Sequence, residues 1–147
     1  MNKRRNETRK LLGYVSFEND LDPWLTLKQN IEFNARLYSV KKSDYEQRLK
    51  KYSEALNLNA YLNQFAYRVS GGIQKKAMLV RALIHNPDIL ILDEPTAGVD
   101  VELRNNLWDN VKELNKEGVT IILTTHYLLE AQEMCDRIAI IDKGNLV

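Results

Sequence analysis

The sequence has little cysteine, no excess of charge of one sign and no long apolar run. A single cysteine, Cys135, excludes an internal disulfide and fits a reducing compartment. The chain carries 21 basic and 20 acidic residues, so no overall charge favours a nucleic acid or an anionic membrane as partner. No apolar run approaches the roughly 18 residues of a membrane helix. The basic residues 1–10 precede no apolar signal segment, and we interpret them as a solvated end rather than an anion-binding patch. We expect one intracellular domain, soluble by itself, with no nucleic-acid partner.

The most informative stretch is a short apolar strand that ends on two acids. Ile89 to Leu92 are branched apolar residues without polar interruption, which is typical of a strand in a parallel sheet covered on both faces. Asp93 and Glu94 follow at once. Because α/β sheets bind ligands at the carboxyl ends of their strands, we expect chemistry here. The competing interpretation is a helix cap or a solvated turn.

A glycine-rich helix start lies about twenty residues before these acids. Ser70 is predicted to cap a helix that Asn86-Pro87 ends, with His85 capping its last carbonyls. Gly71 and Gly72 have no side chains, so their backbone amides can approach a phosphate closely at the positive end of the helix. A Ser-Gly-Gly turn alone is weak evidence, but this one precedes the acidic strand end.

A second strand is predicted to deliver polar residues to the same edge. Asp100 is expected to cap a helix over residues 101–117, with Gly118 just after its end. Its inward residues are expected to be Leu103, Leu107, Val111 and Leu114. Val119 to Leu123 is expected to be buried and to lead into Thr124, Thr125 and His126, and 137–141 is predicted to be a third strand. A lone histidine after a strand is more often structural, but here it shares an edge with two carboxylates.

The first half of the chain is predicted to contain two amphipathic helices. Thr26 with Gln29, and Ser43 with Glu46, fit the capping box that begins a helix. Together these patterns predict an α/β fold with parallel strands.

Four motifs in order resemble those of ABC-transporter ATPase subunits, over nearly the whole chain after about Leu11. Val69 to Ile73 looks like the signature motif, and Ile89 to Glu94 looks like the Walker B strand. Residues 97–100, Ala-Gly-Val-Asp, are similar to the D-loop, and Thr124 to His126 is similar to the switch-histidine loop. The tail from His126 to Gly144 looks most like subunits of ABC-2-type exporters.

The resemblance implies a partial P-loop NTPase domain over residues 1–147, with helices on both sheet faces. A helical and signature subdomain would occupy about 25–85, and the core strands about 86–147. It also implies ATP and Mg²⁺ as ligands, an ATPase homodimer or heterodimer, and a transmembrane permease partner that contacts residues near Trp24. The domain would lie peripherally on the cytoplasmic face of the plasma membrane.

By the same resemblance, each candidate site residue has a role. Asp93 would serve the metal, while Glu94 and His126 would be catalytic, acting on the water and the γ-phosphate. The ATP held by the opposite subunit would meet Ser70, Gly71 and Gly72, and Asp100 would lie at the dimer interface.

Two features depart from the family pattern. Phe17 stands where the family has the Gln of the Q-loop, and a phenyl ring can neither coordinate a cation nor donate to a phosphate. None of the six glycines opens a G-x-x-x-x-G-K-[ST] loop, which supplies phosphate contacts in P-loop enzymes. We therefore expect the 147 residues alone to bind ATP poorly and turn it over negligibly.

Three functions follow from these observations. The first is part of the ATP-hydrolysing subunit of an exporter. The second is a non-catalytic module that lends its signature motif to a complete ATPase or docks on the membrane subunit. The third, a soluble relative acting in translation or repair, is disfavoured by the exporter-like tail.

Overall fold

A three-stranded parallel sheet organises the fold. The computed structural model describes residues 8–147, apart from the side chains of residues 102 and 103. The basic segment 1–7 and the predicted inward position of Leu103 therefore lie outside the described part. The strands β1 (Leu12–Val15), β2 (Ile89–Asp93) and β3 (Thr120–Thr124) lie in the order β1-β2-β3. The predicted α/β fold with parallel strands is confirmed.

Five helices accompany these strands in the described part of the chain. They are α1 (Leu27–Leu37), α2 (Lys42–Ala55), α3 (Gly71–Leu83), α4 (Val101–Lys116) and α5 (Leu128–Met134). Two single 3₁₀ turns, Asn59–Tyr61 and Ala66–Arg68, lie between α2 and α3. None of the helices in residues 8–147 is both long and apolar enough to cross a membrane.

The sheet has one closely packed face. Strand register places Val15 beside Leu92, and Gly13 beside Leu90, and all four are buried. The core continues into α3 and α4, where Leu79, Leu83, Leu107 and Val111 are buried. The opposite face is more open: Tyr14 of β1 is 50% exposed, and Ile122 of β3 is 48% exposed. The residues of β2 alternate between buried and half-buried, whereas those of β3 alternate between half-buried and exposed.

The prediction that Val119 to Leu123 is a buried strand is therefore wrong about burial, although a strand forms there. Strand β3 lies at an edge of the described sheet, so its outer edge and one of its faces are not covered. The third strand predicted at 137–141 is also wrong. Only Ile141–Asp142 (β4) pairs, antiparallel, with Asn145–Leu146 (β5). Lys143 and Gly144 both have positive φ, as a two-residue hairpin turn of type I′ requires.

Local capping signals mark the starts of α1 and α3 and the end of α4. Thr26 and Gln29 form the predicted capping box, with reciprocal bonds of 3.1 and 2.8 Å. Ser70 caps α3 as predicted, and after the end of α4 at Lys116 the amides of Gly118 and Val119 bond back to Asn115 and Leu114. That pair of bonds is a Schellman motif, which satisfies the last carbonyls of the helix.

Two capping predictions are wrong. Helix α2 begins at Lys42, so Ser43 lies inside the first turn and its hydroxyl donates to Asp44. Asp44 already places a negative charge in that turn, which stabilises the helix start without a cap. His85 does not cap its own helix either. Its Nε2 lies 2.9 Å from the carbonyl oxygen of Leu12, and its ring stacks on Tyr38 with centroids 3.9 Å apart.

The first prediction concerns the contact between β1 and α3. A Cβ at Gly13 would lie 2.7 Å from the carbonyl oxygen of Ala82 and 3.0 Å from Pro87 Cγ. We expect Gly13→Ala to lower the free energy of unfolding by about 1–3 kcal/mol, because the backbone must move to accept the methyl group. Urea unfolding measures this. Gly71→Ala is the matched control, since its Cβ meets nothing within 4 Å and it should show no such loss. Equal stability of the two variants contradicts the packing described here.

The second prediction is a pH dependence of stability. Burial lowers the pKa of His85, opposed by the bond to Leu12 and aided by the charge of Arg48. A histidine whose pKa is lower in the folded state contributes stability above its unfolded pKa, and that contribution is lost as pH falls. The free energy of unfolding should therefore decrease between about pH 7.5 and 5.5.

Two histidine variants identify the residue responsible. We expect His85→Gln to flatten this decrease, because Gln keeps a donor for Leu12 but does not titrate. His126→Gln, at the more exposed histidine, should retain it. A steep decrease in His85→Gln contradicts the assignment.

Candidate functional site

The site lies where β2 and β3 end side by side. The register pairs Asp93 with Thr124, so the residues that follow each strand emerge together. The amide of Glu94 donates to the carbonyl of Thr124 at 3.1 Å, which extends the strand contact by one residue. The parallel ladder therefore sets the distance between the acids and the Thr-Thr-His segment.

Asp93 is held by a hydroxyl from each neighbouring strand. Thr124 Oγ1 donates to Asp93 Oδ1 at 2.5 Å, and the hydroxyl of Tyr14 lies 3.3 Å from Oδ2. Desolvation and the charge of Asp93 both raise the pKa of Tyr14, and its phenolic hydroxyl can donate to the carboxylate. The contact from Tyr14 is long for an O–H···O bond, so Oδ2 is the oxygen more easily offered to another ligand.

Glu94 points away from Asp93 because its backbone turns. Its φ is +47°, a left-handed value that a residue with a side chain rarely adopts. Such strain persists only where the surrounding structure imposes it, and here the bonds of Glu94 to Thr124 and Ala97 fix the turn. The turn directs the carboxylate of Glu94 toward the end of β3.

His126 meets that carboxylate directly. His126 Nδ1 lies 2.9 Å from Glu94 Oε2, and the imidazole ring is tilted against Tyr127 with centroids 4.1 Å apart. A carboxylate only accepts, so Nδ1 carries a proton in this contact. The structure thus joins Glu94 and His126, with Asp93 adjacent in the chain.

The candidate phosphate-binding residues lie apart from these three. Ser70 Oγ accepts the amide of Ile73 at 3.4 Å, and Ser70 and Gly71 are exposed at the start of α3. No hydrogen bond or ion pair of the described residues joins Ser70, Gly71 or Gly72 to the acids or to His126. Asp100 is exposed directly before α4, and its carbonyl accepts the amide of Arg104.

Lys75 holds the loop that follows β1. Its Nζ donates to the carbonyls of Ser16 at 3.0 Å and Phe17 at 2.5 Å, and lies 5.8 Å from the centre of the Phe17 ring. Burial lowers the pKa of Lys75, whereas the charges of Asp20 and Asp93 oppose that effect. Phe17, which we predicted to stand in place of a Gln, is therefore an exposed ring that lies beside a lysine.

The donor set fits Mg²⁺ only as part of a larger site. The described residues contain no cluster of three or more His, Cys, Asp or Glu side chains able to hold a metal by themselves. Mg²⁺ binds through one or two carboxylates and completes its shell with water and phosphate oxygens. Asp93, with Oδ2 weakly engaged, suits that role beside a nucleotide.

Several contacts in and around the candidate site were not predicted from the sequence. They involve Tyr14, Thr124, Lys75, Thr96 and Glu130. Thr124 lies in a recognised motif, but its partner depends on strand register. Tyr14 and Lys75 carry no sequence signal, because each acts on a residue more than fifty positions away.

The sequence profile of the family described as ABC transporter matches residues 1–97. The linearmycin resistance ATP-binding protein LnrL of Bacillus subtilis is 34% identical over 145 residues, covering 99% of this chain and 47% of that protein. The Nod factor export ATP-binding protein I of Cupriavidus metallidurans is 32% identical over 145 residues, covering 99% and 48%.

A solved structure of an ATP-binding subunit of an ABC transporter is also similar. It aligns with a TM-score of 0.87 and 29% identity, over 97% of this chain and 59% of that one. The chain spans about half the length of the curated relatives it matches.

Proposed function

The chain belongs to the ABC transporter family, and we propose that it forms the signature and Walker B part of an ATP-hydrolysing subunit that drives export. The observation that carries this proposal is the bond between His126 Nδ1 and Glu94 Oε2 at the carboxyl edge of a parallel sheet. The relative named for Nod factor export supports the direction of transport.

In this proposal Glu94 orients and deprotonates the attacking water. Its Oε2 is engaged by His126, so Oε1 is the oxygen that meets the water. A carboxylate in this position acts as a general base and aligns the nucleophile for in-line attack. The left-handed backbone of Glu94 keeps its carboxylate separate from that of Asp93.

His126 connects this base to the phosphate. Because Nδ1 donates to Glu94, only Nε2 remains for a γ-phosphate oxygen. A neutral ring with its proton on Nδ1 has a bare Nε2, so donation to both partners requires the imidazolium. His126 would then stabilise negative charge on the phosphate and hold Glu94 in place.

Asp93 would hold Mg²⁺, directly or through a water, by Oδ2. When bound, Mg²⁺ neutralises charge on the β- and γ-phosphate oxygens. Thr124 fixes the other carboxylate oxygen, so Asp93 presents one defined oxygen to the cation or its water.

The exposed signature residues serve a second subunit in this proposal. Ser70 and Gly71 are exposed and Gly72 is half-buried, so this helix N-terminus can meet ATP held by a partner ATPase. Asp100 would lie at the same interface. The permease partner would contact the surface near Trp24, whose ring is 74% exposed and lies 5.4 Å from that of Tyr67. The subunit would act peripherally at the cytoplasmic face of the membrane.

A chimaera tests the hydrolytic role. The 147 residues are joined after the N-terminal segment of a relative that contains the phosphate-binding loop, and ATP hydrolysis is measured. We expect Glu94→Gln to reduce turnover by about 10²–10⁴-fold with ATP binding retained, because the base is lost and the phosphate contacts remain. Glu133→Gln, an exposed acid on α5, is the control and should hydrolyse ATP normally. Full turnover by Glu94→Gln contradicts the proposed role.

The second candidate function is that this chain lends its signature to a complete ATPase. The exposed Ser70 and Gly71, which no hydrogen bond or ion pair of the described residues joins to Asp93 or Glu94, favour it. Mixing the 147-residue chain with an intact relative should then stimulate ATP hydrolysis. We expect Ser70→Arg to abolish the stimulation by blocking the helix start, whereas Glu94→Gln should leave it intact. Absence of stimulation by the unaltered chain eliminates this alternative.

A further inference from the structure

A buried carboxylate beside the site has no part in the chemistry above. Glu130 lies on α5, four residues after His126 in the chain, and only 7% of it is exposed. The hydroxyl of Thr96 lies 2.9 and 2.8 Å from its two carboxylate oxygens. Thr125 donates to Glu130 Oε2 at 3.3 Å, and Arg104 Nε lies 3.4 Å from Oε1. A carboxylate buried this deeply requires partners, and these three supply them.

The partners of Glu130 come from the segments that carry the site. Thr96 is fully buried and lies two residues after Glu94. Thr125 lies one residue before His126, and its oxygen also accepts the amide of Tyr127 at 3.0 Å. Arg104 comes from α4, and its guanidinium lies 5.5 Å from the centre of the Tyr127 ring. Glu130 therefore connects the loop after β2 to the loop after β3.

We propose that Glu130 is a positioning residue that fixes these two loops relative to each other so that the His126 ring meets the Glu94 carboxylate. The strand ladder ends at Asp93 and Thr124, and beyond it the amide of Glu94 bonds only to Thr124. Farther along the two loops, Glu130 accepts hydrogen bonds from Thr96, which follows Glu94, and from Thr125, which precedes His126. The proposal rests on the proposed function, since the pair it positions is the hydrolytic pair.

Nuclear magnetic resonance of the histidine ring nitrogens tests this in the whole 147-residue chain without nucleotide. The chain has two histidines, so the spectrum of each variant shows the ring nitrogens of both. The resonance frequency of the His126 ring nitrogens reports the bond to Glu94. The variant Glu94→Ala gives the frequency of His126 when that bond is absent. His85, bonded to Leu12 and stacked on Tyr38, reports whether the fold is intact.

We expect Glu130→Gln to move the His126 signal most of the way to its frequency in Glu94→Ala, with His85 unchanged. Gln keeps the size of the side chain, but it loses the charge and one of the two accepting oxygens. The matched control, Glu133→Gln on the same helix, should leave both histidines unchanged. If Glu130→Gln unfolds the chain, both signals change, and Thr96→Val decides instead, because it removes a hydroxyl that, among the described residues, bonds only to Glu130.

A folded Glu130→Gln whose His126 signal stays at the wild-type frequency overturns the proposal. If that variant unfolds, an unmoved His126 signal in Thr96→Val overturns it equally. Because no nucleotide is present, a negative result here leaves the hydrolytic role of Glu94 intact. Loss of that role in the chimaera would conversely leave the histidine measurement valid.

Discussion

The parallel pairing of β2 with β3 is the constraint on which the site depends. It sets Asp93 beside Thr124, and from that register follow the bond between their side chains and the arrival of Glu94 and His126 at one edge. A slip of one residue would turn Asp93 to the other face, because side chains alternate along a strand. Two apolar strands, each ending in polar residues, thus produce a site that neither strand could form alone.

Beyond the ends of β2 and β3, the arrangement of the site depends on the strained backbone of Glu94 and on the buried carboxylate of Glu130. Glu94 adopts a left-handed backbone, and the turn that imposes it also separates two adjacent carboxylates into different directions. Around this turn, Thr96 and Thr125 form hydrogen bonds to the buried Glu130, and Arg104 faces it as an ion pair at 3.4 Å. Because a buried charge without partners is costly, these contacts favour one arrangement of the loops. The same arrangement brings the imidazole of His126 to the Glu94 carboxylate.

Local signals in the sequence predicted much of this fold. The apolar run before Asp93, the capping box at Thr26 and the Ser-Gly-Gly start of α3 act through neighbours within four residues, and the structure contains all three. The contacts of Tyr14, Lys75 and Glu130 depend on residues far apart in the chain, which no periodicity encodes. The strand predicted at 137–141 does not form, although the outer edge of β3 is open in the described sheet; Ile141–Asp142 pairs instead with the nearby Asn145–Leu146 across a two-residue turn. The metal, phosphate and dimer roles of Asp93, Ser70, Gly71, Gly72 and Asp100 stay predictions.

An experimental structure of the 147-residue chain tests the central claim most directly, and the quantity to measure is the separation of the His126 ring from the Glu94 carboxylate. We predict that Nδ1 and a carboxylate oxygen lie within hydrogen-bond distance, with Asp93 and Thr124 paired in parallel beside them. A structure in which β2 and β3 are paired in another register, or in which the ring and the carboxylate point to different sides of the sheet, would contradict the account.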